Sequence, residues 1–211
     1  QGAVHIKNRA LQSHGNSFPL LQTGSIVAPN RRGAQSKPYE KGENSMRLFL
    51  AILLSPSVQE ALLSAQADLR RQGRGTFPPP ENLHLTLAFL GEASASDGAR
   101  AALNTVSCRP FSLAVGGPLG HFDDLWWASV RADRALEDLA LSIQSDLRAR
   151  GFCLEDRPFQ PHITLVRRWR GEAPQVTVPR AKMVVRRVSL LRSDQIGGRR
   201  IYTELFQKSL R

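Results

Sequence analysis

The chain has only two cysteines, Cys108 and Cys153, among its 211 residues. They show no CxxC spacing and have no paired histidines nearby, so neither a disulfide framework nor a structural zinc site is indicated, and ordinary thiols of a reducing compartment are expected. Acidic residues are also in short supply: 18 Asp plus Glu stand against 29 Lys plus Arg, for a formal charge of +11. That balance favours an anionic partner such as nucleic acid, nucleotide or membrane surface. No apolar run approaches the ~18 residues that a spanning helix needs. The longest, Leu48 to Leu54, has the length of a strand and lies too deep for a signal peptide. A soluble, cytoplasmic, monomeric protein with no membrane association is expected. What the chain does have is 41% hydrophobic residues, enough at this length for one sizeable domain or two small packed lobes.

Residues 1–45 lack a sustained period and are rich in Gly, Ser, Asn, Gln and basic residues. They read as a disordered N-terminal tail. The texture changes at Met46 with Arg47-Leu-Phe-Leu-Ala-Ile-Leu-Leu54, which suggests a native start there and an upstream or expression-derived extension before it. Residues 46–211 are the expected domain. Ser55-Pro56 predicts a helix start, and Val58, Ala61, Leu62, Ala65 and Leu69 recur at helical spacing. Leu83 to Leu90 alternates with a period of two, which predicts a strand. A weaker helix over 97–106 and a short strand over 111–115 lead to a Gly- and Pro-rich turn.

The second part repeats this grammar. Residues 125–131 predict a strand, and 133–150 a helix with Leu136, Leu139, Ala140, Ile143 and Leu147 on one face. Residues 160–167 predict another alternating strand. Two further strands, over 184–191 and 200–206, are joined by a Gly197-Gly198 turn. Two related lobes are therefore expected.

Each half carries one histidine motif, His84-Leu-Thr-Leu and His162-Ile-Thr-Leu, 78 residues apart. On a strand, residues two apart share a face, so each motif sets an imidazole beside a hydroxyl while its apolar neighbours enter the core. An imidazole moves protons near neutral pH and a hydroxyl binds a phosphoryl oxygen, so each strand supplies one acid-base group and one binding group. A twofold arrangement would put His84 and His162 on opposite sides of one phosphorus atom, the geometry of in-line displacement. Threonine occupies only seven positions, so two of the five histidines having Thr two residues ahead is an accident of about one per cent. Two histidines on separate strands with no third ligand would leave a divalent ion under-coordinated, and no metal is expected.

These motifs resemble those of the LigT-like RNA 2',3'-cyclic phosphodiesterases, historically called 2'-5' RNA ligases, within the two-histidine phosphoesterase superfamily. The likeness rests on Arg47-Leu-Phe-Leu-Ala51, on His84-Leu-Thr-Leu-Ala-Phe-Leu-Gly91, on Arg157 through Arg167, and on Ser193 with Arg200-Ile-Tyr-Thr203. It implies an α+β, bilobal fold: two pseudo-symmetric lobes of antiparallel sheet with outer helices around a central cleft. It also implies hydrolysis of a terminal 2',3'-cyclic phosphate, on RNA ends or nucleotides, to a 2'-phosphate without metal or cofactor. His84 would protonate the departing 3' oxygen and His162 activate water, although the symmetry of the motifs leaves that order open. Thr86 and Thr164 would hold the non-bridging oxygens. Arg167, five after His162, matches a phosphate-contacting position; its plain alternative is a strand-end surface arginine.

Phe89, five after His84, is either a base-stacking ring or a core residue of the apolar face. His121 is expected to be structural or solvated in a loop, and of Trp126 and Trp127 one ring should face inward and the other outward. The arginine-rich C-terminal part suits an RNA-binding rim or a solvated face. Alternative activities are 2'-5' ligation or cleavage on the same fold, or RNA binding without catalysis.

Overall fold

The computed structural model describes residues 46–93 and 96–211; the expected tail lies outside them. Chain order is β1 (Met46–Leu53), α1 (Pro56–Gln72), β2 (Arg74–Thr76), β3 (His84–Ala93), α2 (Asp97–Asn104), β4 (Phe111–Phe122), β5 (Leu125–Ala132), α3 (Arg134–Ala149), β6 (His162–Arg170), β7 (Thr177–Val185), β8 (Arg187–Ile196) and β9 (Arg199–Ser209). Ser55 is extended, with proline at the first helical position after it, so α1 starts where its sequence directs. Among the described residues no helix is long and apolar enough to cross a membrane.

The strands form two antiparallel sheets, ordered β3-β1-β8-β9 and β2-β6-β5-β4-β7. Setting β3, β1, β8 and β9 against β6, β5, β4 and β7 superposes the two orders, with β2 as an addition at one edge. This is the bilobal α+β architecture expected. The helices are exchanged between lobes. Helix α1 precedes the first histidine strand but packs on β4, β6 and β7, whereas α3 precedes the second and packs with α2 over the first sheet, touching β3.

The lobes are not consecutive halves of the chain, as the repeated grammar suggested, because β4 joins the second sheet and β8 and β9 join the first. The supposed turn after residue 115 is a bulge inside a longer β4: Val115 faces Val130 but Leu119 faces Ala128, with Gly116 and Gly117 at φ 137° and 97° absorbing the extra residues. His121 therefore sits on a strand, not in a loop. The strand expected over 184–191 is two strands: Val184 and Val185 close β7, and β8 begins at Arg187 in the other sheet. Pro179 masked β7, yet β7 is an edge strand, where a missing amide donor is tolerated.

One apolar cluster takes in the helices and the inner faces of both sheets, including Leu48, Leu50 and Ile52 of β1. Phe49 and Ala51 alternate to the opposite face, where they pack with Leu191, Leu53 and Tyr202. Leu53 pairs with His84 across the β1–β3 ladder, so that opposite face is the one bearing the first histidine.

In the other sheet, Gly120 pairs with Trp127, and a Cβ at Gly120 would meet the indole Cζ2 at 2.2 Å. Gly120→Ala is expected to push the ring off the strand at a cost of about 1–3 kcal/mol, lowering Tm by roughly 2–10 °C. Calorimetry checks this; an unchanged Tm would mean that the indole has another place to lie.

Candidate active site

Strict alternation cannot put residues five apart on one face, yet both histidine strands do so. On β3, His84 and Thr86 are half-buried on the open face, Leu87 and Ala88 are both buried, and Phe89 is exposed. The ladder with β1 gives the reason: Thr86 faces Ala51 and Ala88 faces Leu50, leaving Leu87 as an extra residue. On β6, Thr164 faces Trp127 and Val166 faces Trp126, leaving Leu165 extra. Leu165 and Val166 are both buried and Arg167 is exposed. A bulge three residues after each histidine thus resets the parity.

Phe89 is therefore not in the core that simple alternation assigned it. It is 41% exposed and stacks on Phe49, centroids 5.9 Å apart. Val166, expected to share a face with His162 and Thr164, turns inward instead.

The two imidazoles are held alike. Nδ1 of His84 lies 2.8 Å from the Asn82 carbonyl, and Nδ1 of His162 lies 2.8 Å from the Gln160 carbonyl, each two residues back. A carbonyl only accepts, so Nδ1 donates in both rings and the neutral tautomer leaves Nε2 as the base. At His84 that nitrogen accepts from the Thr86 hydroxyl at 3.1 Å. The Asn82 side chain donates to the Arg200 carbonyl at 2.8 Å, tying the first anchor to β9.

Aromatic rings wall both histidines. His84 lies 5.0 Å from Phe49 and 5.2 Å from Tyr202, the latter edge-on. His162 lies 5.5 Å from Phe122 and 5.8 Å from Trp127. Burial therefore pushes the His84 pKa down to about 4, outweighing the Asn82 hydrogen bond that raises it; the charges of Arg167 and His162 lower it further. His162 is also lowered, by burial first, against the Gln160 hydrogen bond and with Arg157 and Arg167 adding to the shift. His84, His162 and Arg167 thus lie within one electrostatic neighbourhood, and β3 touches β6.

Of the sequence-derived residues, Thr86 is bonded to His84, and Thr164 stands two along from His162. Trp126, paired with inward Val166, is the indole packed on the core and lies 4.7 Å from His121, while Trp127, paired with Thr164, is on the histidine face against His162. His121 carries no part of the pair. Phe49, Tyr202 and Phe122 were not foreseen as site walls, because in sequence such a ring cannot be told from an ordinary core or loop aromatic. Among the described residues no three His, Cys, Asp or Glu side chains gather in a group that could hold a metal ion.

A family model described as LigT like Phosphoesterase matches residues 52–118 and 130–202. These segments include both histidine strands and define a class of phosphoester-cleaving enzymes. The chain belongs to the LigT-like phosphoesterase family, as its motifs led us to expect. It is 35% identical over 188 residues to the RNA 2',3'-cyclic phosphodiesterase of Thermus thermophilus, covering 79% of this chain and 91% of that one. To the enzyme of that name from Escherichia coli it is 32% identical over 167 residues, 75% and 93% of the two chains. With the namesake from Geobacillus stearothermophilus it shares 36% identity over 137 residues, and there the match spans only 43% of the relative's length. Among solved structures, E. coli LigT complexed with 3'-AMP superposes with a TM-score of 0.69 at 30% identity, covering 79% of this chain and 98% of that one. TT0787 of T. thermophilus gives 0.62 at 32% identity, over 78% and 98% of the chains.

The lowered His84 pKa links stability to pH. Between the unfolded value of 6.5 and the folded value of about 4 the unfolded chain binds more protons, so stability is fully present above pH 6.5 and is lost as pH falls towards 4. The loss attributable to His84 amounts to about 3 kcal/mol at most. Urea melts at a series of pH values are expected to show a shallower decline over this window for His84→Asn than for the wild type.

Proposed function

We propose that the chain hydrolyses terminal 2',3'-cyclic phosphates of RNA or nucleotides to 2'-phosphates, with His84 and His162 as its acid-base pair. The observation that carries the reading is the matched presentation of two imidazoles, each with Nδ1 committed to a backbone carbonyl so that Nε2 is the basic nitrogen, at His84 meeting only the Thr86 hydroxyl among the described residues. Relatives named for this reaction cover most of the chain and support it.

In this reading His162 Nε2 takes a proton from water as the water oxygen bonds to phosphorus. His84, protonated at Nε2, passes its proton to the 3' oxygen as the phosphorus–3'-oxygen bond breaks. The products are a 2'-phosphate and a free 3'-hydroxyl, and the two histidines exchange protonation states before the next turnover. Thr86 and Thr164 donate to non-bridging oxygens, and Arg167 meets the charge that builds on them. Phe89, 41% exposed, stacked on Phe49 and with the Arg47 guanidinium 5.5 Å from its centroid, is the ring of this site that can meet a base. Burial that keeps both rings neutral in the empty site serves the base directly. The acid is charged only when the anionic phosphate raises its pKa.

An RNA ending in 2',3'-cyclic phosphate, incubated in EDTA and analysed by chromatography, tests the reading. His84→Ala and His162→Ala are each expected to lower kcat about 10²–10⁴-fold. No opening by the wild type, or equal opening by the double variant, would refute it; RNA binding that survives both substitutions without turnover would make the chain a binding module. A recovered 2'-5' linked product would assign ligation instead. A substrate with sulfur as the 3' leaving atom needs no acid, so it should rescue His84→Ala and not His162→Ala; the reverse pattern exchanges the roles.

The pH profile follows from the lowered pKa values. One ring must be charged and one neutral, so kcat/KM, which reports the free enzyme, should be higher at pH 6 than at pH 8. The alkaline limb of kcat should lie at higher pH, because bound phosphate favours the imidazolium. Parallel profiles for the two parameters would count against phosphate-assisted protonation.

A further inference from the structure

Helices α1 and α3 carry the same buried stripe displaced by 78 residues: Val58, Ala61, Leu62, Ala65 and Leu69 recur as Leu136, Leu139, Ala140, Ile143 and Leu147. Within both stripes sits a glutamine, Gln66 and Gln144, also 78 apart. A primary amide in an apolar stripe is costly unless its hydrogens are used. Gln66 is fully buried, and its Nε2 donates to the carbonyls of Pro78 and Leu165, both at 3.0 Å. Gln144 Nε2 donates to the carbonyl of Leu87 at 2.8 Å.

Leu165 and Leu87 are the two extra residues of the histidine-strand bulges. Each glutamine therefore holds the carbonyl of a residue that the ladder leaves without a partner, and through the helix exchange it does so in the lobe whose histidine belongs to the other half of the chain. Without the bulge, the residue five after each histidine would return to the buried face.

We propose that Gln66 and Gln144 are positioning residues: by clamping the carbonyls of Leu165 and Leu87 they fix the bulges that bring Arg167 and Phe89 to the face of the histidines. Gln66 acts through Arg167 and so on the chemical step, and Gln144 acts through Phe89 and so on substrate affinity. The assignment of those two steps rests on the phosphodiesterase reading given above.

The experiment is a pair of double-mutant cycles, with methionine replacing glutamine as an apolar side chain of similar length. Gln66→Met should lower kcat tenfold or more with KM little changed, since small misplacement of a charge-stabilising group is costly, and should add nothing in an Arg167→Ala background. Gln144→Met should raise KM and add nothing to Phe89→Ala. Independent, additive effects in both cycles, or equal loss of kcat and gain of KM in both variants, would make the glutamines structural only and overturn the proposal. If Gln66→Met does not fold, half-buried Gln144 carries the test alone. Affinity for inorganic phosphate, which needs no turnover, separates the two claims. A wild type that opens no cyclic phosphate ends the functional reading. Inorganic phosphate carries a second negative charge that the cyclic diester gains only during the reaction, so loss of phosphate affinity on Gln66→Met that vanishes in Arg167→Ala upholds the positioning role even then, and no such coupling ends it.

Discussion

Side chains on a β-strand alternate with a period of two, and the site rests on breaking that parity at two places. A histidine and a threonine two apart come to one face without effort, but a third group at an odd distance does not. An inserted residue must turn the strand over, and its carbonyl must be satisfied where the regular ladder no longer meets it. Leu87 and Leu165 are those residues, and Gln144 and Gln66 are their donors. The exposed positions of Phe89 and Arg167 depend on this arrangement.

Electrostatics around the pair follow the same duplication without being identical. A carbonyl two residues upstream orients each ring, which settles the tautomer before any substrate arrives. The walls differ: Phe49 and Tyr202 on one side, Phe122 and Trp127 on the other. Two rings of one chemical kind are thus offered unequal surroundings, the kind of difference that moves the pKa values of two like groups apart.

Much of this was legible in the residues. Period-two runs marked β3 and β6, an apolar run of strand length marked β1, helical stripes marked α1 and α3, and the repeated His-x-Thr motif singled out the two histidines. Sheet membership was not legible, because β8 pairs with β1 and β4 with β7 across long stretches of chain. Nor were the bulges, since Leu87-Ala88 and Leu165-Val166 look like any two apolar residues of a strand; only the ladder shows one of each pair to be extra. The glutamines left a trace that period arguments discard. A polar residue inside an apolar stripe is usually passed over, and its recurrence at the 78-residue offset of the histidines was the signal.

The crossing of helices bears on how such a molecule can be taken apart. The unit β1–α1–β3 contains a histidine strand whose clamp lies in α3, and the unit β5–α3–β6 contains one whose clamp lies in α1. Neither unit carries its own fastening. A chain of half this length could build the same bulges only by lending its helix to a second copy, so the single-chain form behaves as an interlocked dimer whose linker keeps the two borrowers together.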